Sequence, residues 1–199
     1  MRKILSILFS GLMLLNFSAV QAQEINFGQY TTHSIIITVG TGGLDFGPLI
    51  TGSGVNSIGL NEAFIVEVTG LRFLDVFVEI TADEKLLLDG NAACDSDPAC
   101  NIPFTLQANY NNRGIDDFAA STPFVVSGNI STARFPVLRR TQGPAGPPPP
   151  PPTASFNPVP FEENFYIYLY GSLNVGNLNA GNYTGEITIT ISYEEISTP

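Results

Sequence analysis

From Glu186 to Glu194 the chain reads Glu-Ile-Thr-Ile-Thr-Ile-Ser-Tyr-Glu, with an apolar side chain at every second position. A period of two puts Ile187, Ile189, Ile191 and Tyr193 on one face and Glu186, Thr188, Thr190, Ser192 and Glu194 on the other, the signature of an antiparallel strand buried on one side. Beyond the first 22 residues the 3, 4, 7 spacing of an amphipathic helix is almost absent. Ser34–Val39, Ala63–Thr69, Phe73–Thr81, Phe104–Tyr110, Phe124–Ser127, Ala133–Arg139 and Phe165–Tyr170 are rich in β-branched or aromatic residues and predict further strands. Gly, Asn, Asp and Pro clusters separate them. With 19 Gly, 15 Pro and 44% apolar residues in 199, the expected fold is all-β: two antiparallel sheets closed into one β-sandwich.

One segment breaks the pattern. Pro147 to Pro152 are six consecutive prolines, which favour polyproline II and extend about 19 Å at 3.1 Å per residue. They cannot form an interior strand, so residues 141–160 are expected to be a stiff loop insertion between Ala133–Arg139 and Phe165–Tyr170. A partner that reads proline-rich sequence remains open, although a loop between two strands needs none.

The N-terminus describes export. Met1-Arg2-Lys3 is a short basic start, Ile4 to Leu15 an apolar run of 12, and Val20-Gln21-Ala22 places small or modest residues where a signal peptidase cuts. Residues 1–22 are therefore expected to be a signal peptide, with the mature chain starting at Gln23 and forming a single domain over 23–199. The apolar run is short for a membrane span, and no later segment supplies one. Arg2 and Lys3 leave with the leader, so 8 basic residues become 6 against 18 acidic, and the net charge falls from −10 to −12. Such a chain is a poor partner for nucleic acid, which needs clustered Lys and Arg.

Cys94 and Cys100 are the only cysteines. In an exported chain they are expected to form a disulfide across Asp95-Ser96-Asp97-Pro98-Ala99, stabilising the fold by about 2 kcal/mol through the unfolded state. Asp89, Asn91, Asp95 and Asp97 gather hard oxygen donors on the same stretch, which makes them candidate calcium ligands. Their spacing differs from that of the helix-loop-helix calcium loop, and a solvated polar turn is the competing reading. No other metal site or cofactor is expected.

Two further pieces occur together: Gly43-Leu44-Asp45-Phe46-Gly47 after an early strand, and Leu178-Asn179-Ala180-Gly181-Asn182-Tyr183-Thr184-Gly185 before the last one. The pairing resembles the bacterial domain of unknown function 4402 and, more distantly, the spore coat protein U and archaic pilus-subunit domains. That resemblance implies an immunoglobulin-like sandwich at the cell surface or in the periplasm, without enzymatic activity. Independently of it, Gly181 permits a turn conformation closed to other residues. Tyr183 is placed to bond its hydroxyl to nearby backbone, as the tyrosine corner of Greek-key sandwiches does. Pilus subunits of the resembled kind accept a strand from a neighbour. In the matching segment Gln23–Tyr30 only Ile25 and Phe27 offer inward anchors, so it is expected to pair within its own sandwich and leave a monomer.

No catalytic constellation is legible. His33 is the only imidazole, too isolated for nucleophilic catalysis. The acidic neighbours Asp83-Glu84, Asp116-Asp117, Glu162-Glu163 and Glu194-Glu195 would point to opposite faces of a strand. Tyr166, Tyr168 and Tyr170 alternate with Phe165, Ile167 and Leu169. If the latter fill the core, the tyrosines form a row suited to sugar stacking or a subunit interface, unless other parts of the chain cover it. The expected function is thus a secreted, non-enzymatic structural or adhesive surface protein, with an appendage-type subunit as one form. The alternative is a monomeric module that binds glycan or calcium.

Overall fold

The structure is a computed structural model and describes residues 34–40, 42–72, 74–139 and 162–194, all within a unit spanning His33–Pro199. The proposed signal peptide 1–22, the segment Gln23–Tyr30, His33 and the proline-rich insertion 141–160 lie outside the described residues.

Among the described residues twelve strands form two antiparallel sheets. The larger contains β1 (Ile36–Val39), β2 (Gly54–Ile58), β3 (Phe64–Leu71), β5 (Lys85–Leu88), β6 (Asn101–Asn111), β7 (Thr122–Pro123), β10 (Glu162–Val175) and β11 (Tyr183–Thr184). The smaller contains β4 (Asp75–Ala82), β8 (Val125–Ser127), β9 (Ile130–Pro136) and β12 (Ile187–Tyr193), in the order β12-β4-β9-β8. Every stretch expected to be a strand contributes to one. Expected and observed limits differ most at β10, which runs past Tyr170 to Val175 because its last residues pair with β2, and then at β9 and β6. β6 begins three residues before Phe104 because Asn101–Pro103 pair with β5, and β10 pairing starts only at Phe104. β9 begins at Ile130 because Gly128, at φ 64°, turns a tight hairpin from β8 whose first closing pair is Ser127 with Ile130.

β10 is the spine of the larger sheet. Along one edge it pairs with β6; along the other it pairs first with β3, through Leu169, and then with β2, from Gly171. A Cβ on Gly171 would lie 2.3 Å from the Thr105 carbonyl oxygen, so this crossing point admits only glycine without a backbone shift.

The inner faces follow the sequence alternation. Val66 and Val68 of β3, Val76, Val78 and Ile80 of β4, and Phe165, Ile167 and Leu169 of β10 are buried in one core. Tyr110 stacks on Phe135 at 3.9 Å between ring centres, and Phe135 meets Phe165 edge-on, so aromatic contacts bridge the two sheets. Tyr193 Oη accepts the Leu71 N–H at 2.8 Å and adds a polar tie between them. A smaller cluster of Ile102, Leu173 and Val175 fills the far end beneath Tyr183.

Candidate functional site

β1 and β12 are edge strands. Among the described residues β1 pairs with β3 alone and β12 with β4 alone, so each presents an open ladder of backbone N–H and C=O groups. The register of β1 on β3 sets Ile37 opposite Val68 and Val39 opposite Val66, which fixes Ile37 and Val39 on the inner face. Inner-face residues of a closed sandwich are buried, yet Ile37 is 42% and Val39 55% exposed. On the facing edge the inward residues of β12, Ile187, Ile189 and Ile191, are only half-buried. Between the edges runs an apolar cleft of about 650 Å³, floored by Phe64, Val66, Phe104 and Leu169, with Asp45, Asp83 and Glu186 also on its wall.

The Gly43–Gly47 motif crosses this cleft. Gly47 takes a positive φ of 67°, and its N–H donates to Asp45 Oδ1 at 2.8 Å, which turns the chain so that Leu44 and Phe46 both point inward. Leu44 packs on the main core, and Phe46 meets Phe104 edge-on at 6.1 Å. The motif plugs part of the opening with side chains and adds no strand.

The other end is closed by the disulfide loop and Tyr183. Cys94 and Cys100 are bonded, with Cα atoms 5.3 Å apart. The Tyr183 hydroxyl lies 2.9 Å from the Asn179 carbonyl, four residues upstream, and 3.3 Å from the Ala99 carbonyl, so one tyrosine holds its own corner against the disulfide loop. Burial, with Asp89 and Asp97 nearby, raises its pKa above the ordinary value of 10.0. Gly181 sits in a bend with a positive φ of 159°. L side chains rarely adopt that φ, and a Cβ there would in addition lie 2.2 Å from Leu88 Cδ1.

The four candidate calcium ligands are already engaged or dispersed. Asn91 Oδ1 accepts the Ala93 N–H, Asp97 Oδ1 accepts the Ala99 N–H, and Asp95 pairs with Lys85 Nζ at 3.0 Å. Asp89 takes a positive φ of 48° in the turn after β5, where its N–H donates to the Asn182 carbonyl. Among the described residues no three His, Cys, Asp or Glu side chains converge as metal ligands do. What does converge is carbonyl oxygen. Those of Cys94, Asp95 and Asp97 lie 2.8, 3.1 and 2.9 Å from Asn101 Nδ2, and the buried amide of Asn101 fills the place a cation would take. The sequence pointed to the acids and missed this asparagine, whose one signal was a polar residue beside a cysteine at the start of an apolar strand.

The tyrosine row is not an open surface. Phe165, Ile167 and Leu169 do fill the core, and the tyrosines do face outward, but Tyr168 is only 1% exposed. Residues 112–121 fold back over it: its hydroxyl donates to Asp116 Oδ1 at 2.8 Å, while Asn111 and Asn109 hold Asp117 and Ser121. Tyr170 bonds Asn109, and Tyr166 is half-buried. Burial and the bond to Asp116 push the Tyr168 pKa far up. With its middle member covered, the row cannot serve as a flat stacking platform.

These features stand beside few relatives. No family model and no curated protein matches the chain, so the resemblance to the domain of unknown function 4402 finds no support there. The chain is similar to one in a solved structure described as "Chaperone-tip adhesin complex is vital for synergistic activation of CFA/I fimbriae biogenesis". Identity is 18% and the TM-score 0.39, over 81% of this chain and 43% of that chain. A likeness of that degree fixes neither fold nor function. Among the described residues no helix is long and apolar enough to cross a membrane.

Proposed function

We propose that this chain is a non-enzymatic structural subunit of an exported, surface-associated assembly, and that the seam between β1 and β12 receives an extended apolar strand. The observation that carries the reading is the exposure of Ile37 and Val39 on the inner face of a sandwich whose central inward residues, such as Val66, Val78 and Ile167, are buried. Strand addition would satisfy both needs of the seam at once: backbone groups would complete the open ladder, and alternate side chains would cover the isoleucines. The signal peptide read in residues 1–22 supplies the compartment.

Size-exclusion chromatography and thermal melting of the mature chain and of a variant lacking residues 23–33 test this. Multimers that vanish on deletion mean that a neighbour's segment fills the seam. A monomer that loses stability on deletion means that the chain fills its own. If deletion changes neither assembly nor stability, and an alternating apolar peptide added to the variant leaves its melting temperature where it was, the seam is not a strand site.

A further inference from the structure

The disulfide loop holds the chain's single Asp–Pro bond, Asp97–Pro98, in an arrangement the proposed seam does not use. Asp97 Oδ1 accepts the Ala99 N–H at 2.9 Å, closing a side-chain turn that spans the peptide bond to Pro98. The carbonyl oxygen of that bond has two donors, Asn101 Nδ2 at 2.9 Å and the Cys100 N–H at 3.0 Å. Asn101 is buried and the disulfide fixes Cys100, so both donors are held in place before any reaction begins. Asp97 and Pro98 are exposed, so water reaches the bond. Pro98 contributes a nitrogen with no N–H that leaves as a secondary amine.

We infer that Asp97–Pro98 is a self-cleavage site. A carboxyl oxygen of Asp97 attacks the Asp97 carbonyl carbon, and the charge that develops on the carbonyl oxygen is met by Asn101 and Cys100 as in an oxyanion hole. The bond from that carbon to the Pro98 nitrogen breaks, and the nitrogen takes the carboxyl proton. The product is a five-membered cyclic anhydride on Asp97 and a new N-terminus at Pro98. Water then opens the anhydride to two carboxyl groups. One peptide bond and one water are consumed, with no redox step. Of the ionisable groups around the loop, Asp95 is engaged by Lys85, Asp89 and Asp97 both lie near Tyr183, and the Tyr183 hydroxyl bonds the Asn179 and Ala99 carbonyls and not the scissile one. The cut is silent under oxidising conditions, because Cys94 and Cys100 lie on opposite sides of it and keep the halves joined.

The oxidised full chain, incubated in mildly acidic buffer, is read by intact mass before and after reduction. Cleavage adds the mass of one water to the unreduced chain and releases, on reduction, one fragment ending at Asp97 and another beginning at Pro98. The native chain should cut at least about tenfold faster than the same disulfide-intact chain unfolded in guanidinium, because only the fold supplies the two donors. A native rate equal to or below the unfolded one overturns the inference, as does cutting elsewhere. Asp97→Glu, which enlarges the ring, should fall to background. Asn101→Ala should slow the reaction; because it also loosens the loop, it is read beside Pro98→Ala, which leaves Asp97, Asn101 and the disulfide in place. Pro98→Ala cleaved at the wild-type rate would show that the bond's chemistry plays no part.

Discussion

β4 and β12 carry the same alternation and lie side by side, with Ile80 paired to Ile189 and Val78 to Ile191. Their fates differ. Val78 and Ile80 are 0% exposed, whereas Ile189 and Ile191 remain half-buried. Neither side-chain chemistry nor register explains this, since the partners are aliphatic and face the same way. The difference is one neighbour: among the described residues β4 lies between β12 and β9, and β12 has β4 alone. An alternating strand therefore specifies a face, and the number of strands beside it decides how dry that face becomes.

The comparison is sharpest in a pair of truncations. Ile80→Ala should cost about 2–5 kcal/mol in urea unfolding, the range for a buried isoleucine that leaves a cavity. Ile189→Ala, beside it in the ladder, should cost about half as much, because less apolar area leaves water when that side chain folds. Equal losses would mean that the seam is as closed as the core. A loss at Ile189 that grows when multimers form would locate the missing cover in an assembly partner.

Glycines extend the contrast from side chains to backbone. Gly171→Ala drives a Cβ against the Thr105 carbonyl inside the larger sheet and should cost about 1–3 kcal/mol. Gly43→Ala, at the plug in the seam, meets nothing within 4 Å and should stay within about 0.5 kcal/mol of the wild type. The two unfolding midpoints, taken in the same buffer, check both values.

How much of this was legible beforehand follows from where each contact originates. Faces were readable: Ile187, Val66 and Phe165 point inward, as the period of two requires. Seams were not, because no local pattern in β1 or β12 states whether a further strand lies alongside. β5 escaped notice since Lys85-Leu86-Leu87-Leu88 has no alternation, and β2 since Gly54-Val55-Asn56-Ser57-Ile58 is half polar. The tyrosine row was read correctly as outward-facing, but its cover arrives through Asp116, far away in sequence from Tyr168. Asn101 was invisible for a similar reason: the carbonyls it gathers are main-chain atoms, and a sequence does not show where those converge.

The closed end gives a smaller effect that carries a pH signature. Tyr183→Phe removes the hydroxyl contact to the Asn179 carbonyl and should cost about 0.5–1.5 kcal/mol. In the intact chain Tyr168 and Tyr183 both have pKa values raised by burial. A raised value means that the folded state holds the proton more tightly than the unfolded state. The stabilisation is then fully present below the ordinary tyrosine value of about 10 and is lost as pH climbs through the folded value. Unfolding midpoints should accordingly fall on the alkaline side, with phenolate absorbance rising late and together with unfolding. Early titration of all tyrosines in the native state would show that residues 112–121 do not cover Tyr168 as described.

The smallest expected effect is that of calcium, and it separates the two ends most cleanly. A ligand held only by the native state raises the melting temperature by mass action, so a vacant calcium site in the Asp89–Asp97 loop would announce itself. The loop's converging carbonyls already face the Asn101 amide, Asp95 is paired with Lys85, and Asp97 caps the Ala99 N–H. Calcium would have to displace an amide that sits among three carbonyls, each of which also accepts from a second donor, and take a carboxylate from a lysine. Added calcium should therefore move the melting temperature no more than magnesium does. An alternating apolar peptide offered to the seam should raise it, because the exposed Ile37 and Val39 would be covered. A rise specific to calcium and abolished by Asp95→Ala would reverse the assignment: the disulfide end would be the incomplete one, and Asn101 a placeholder that a cation replaces.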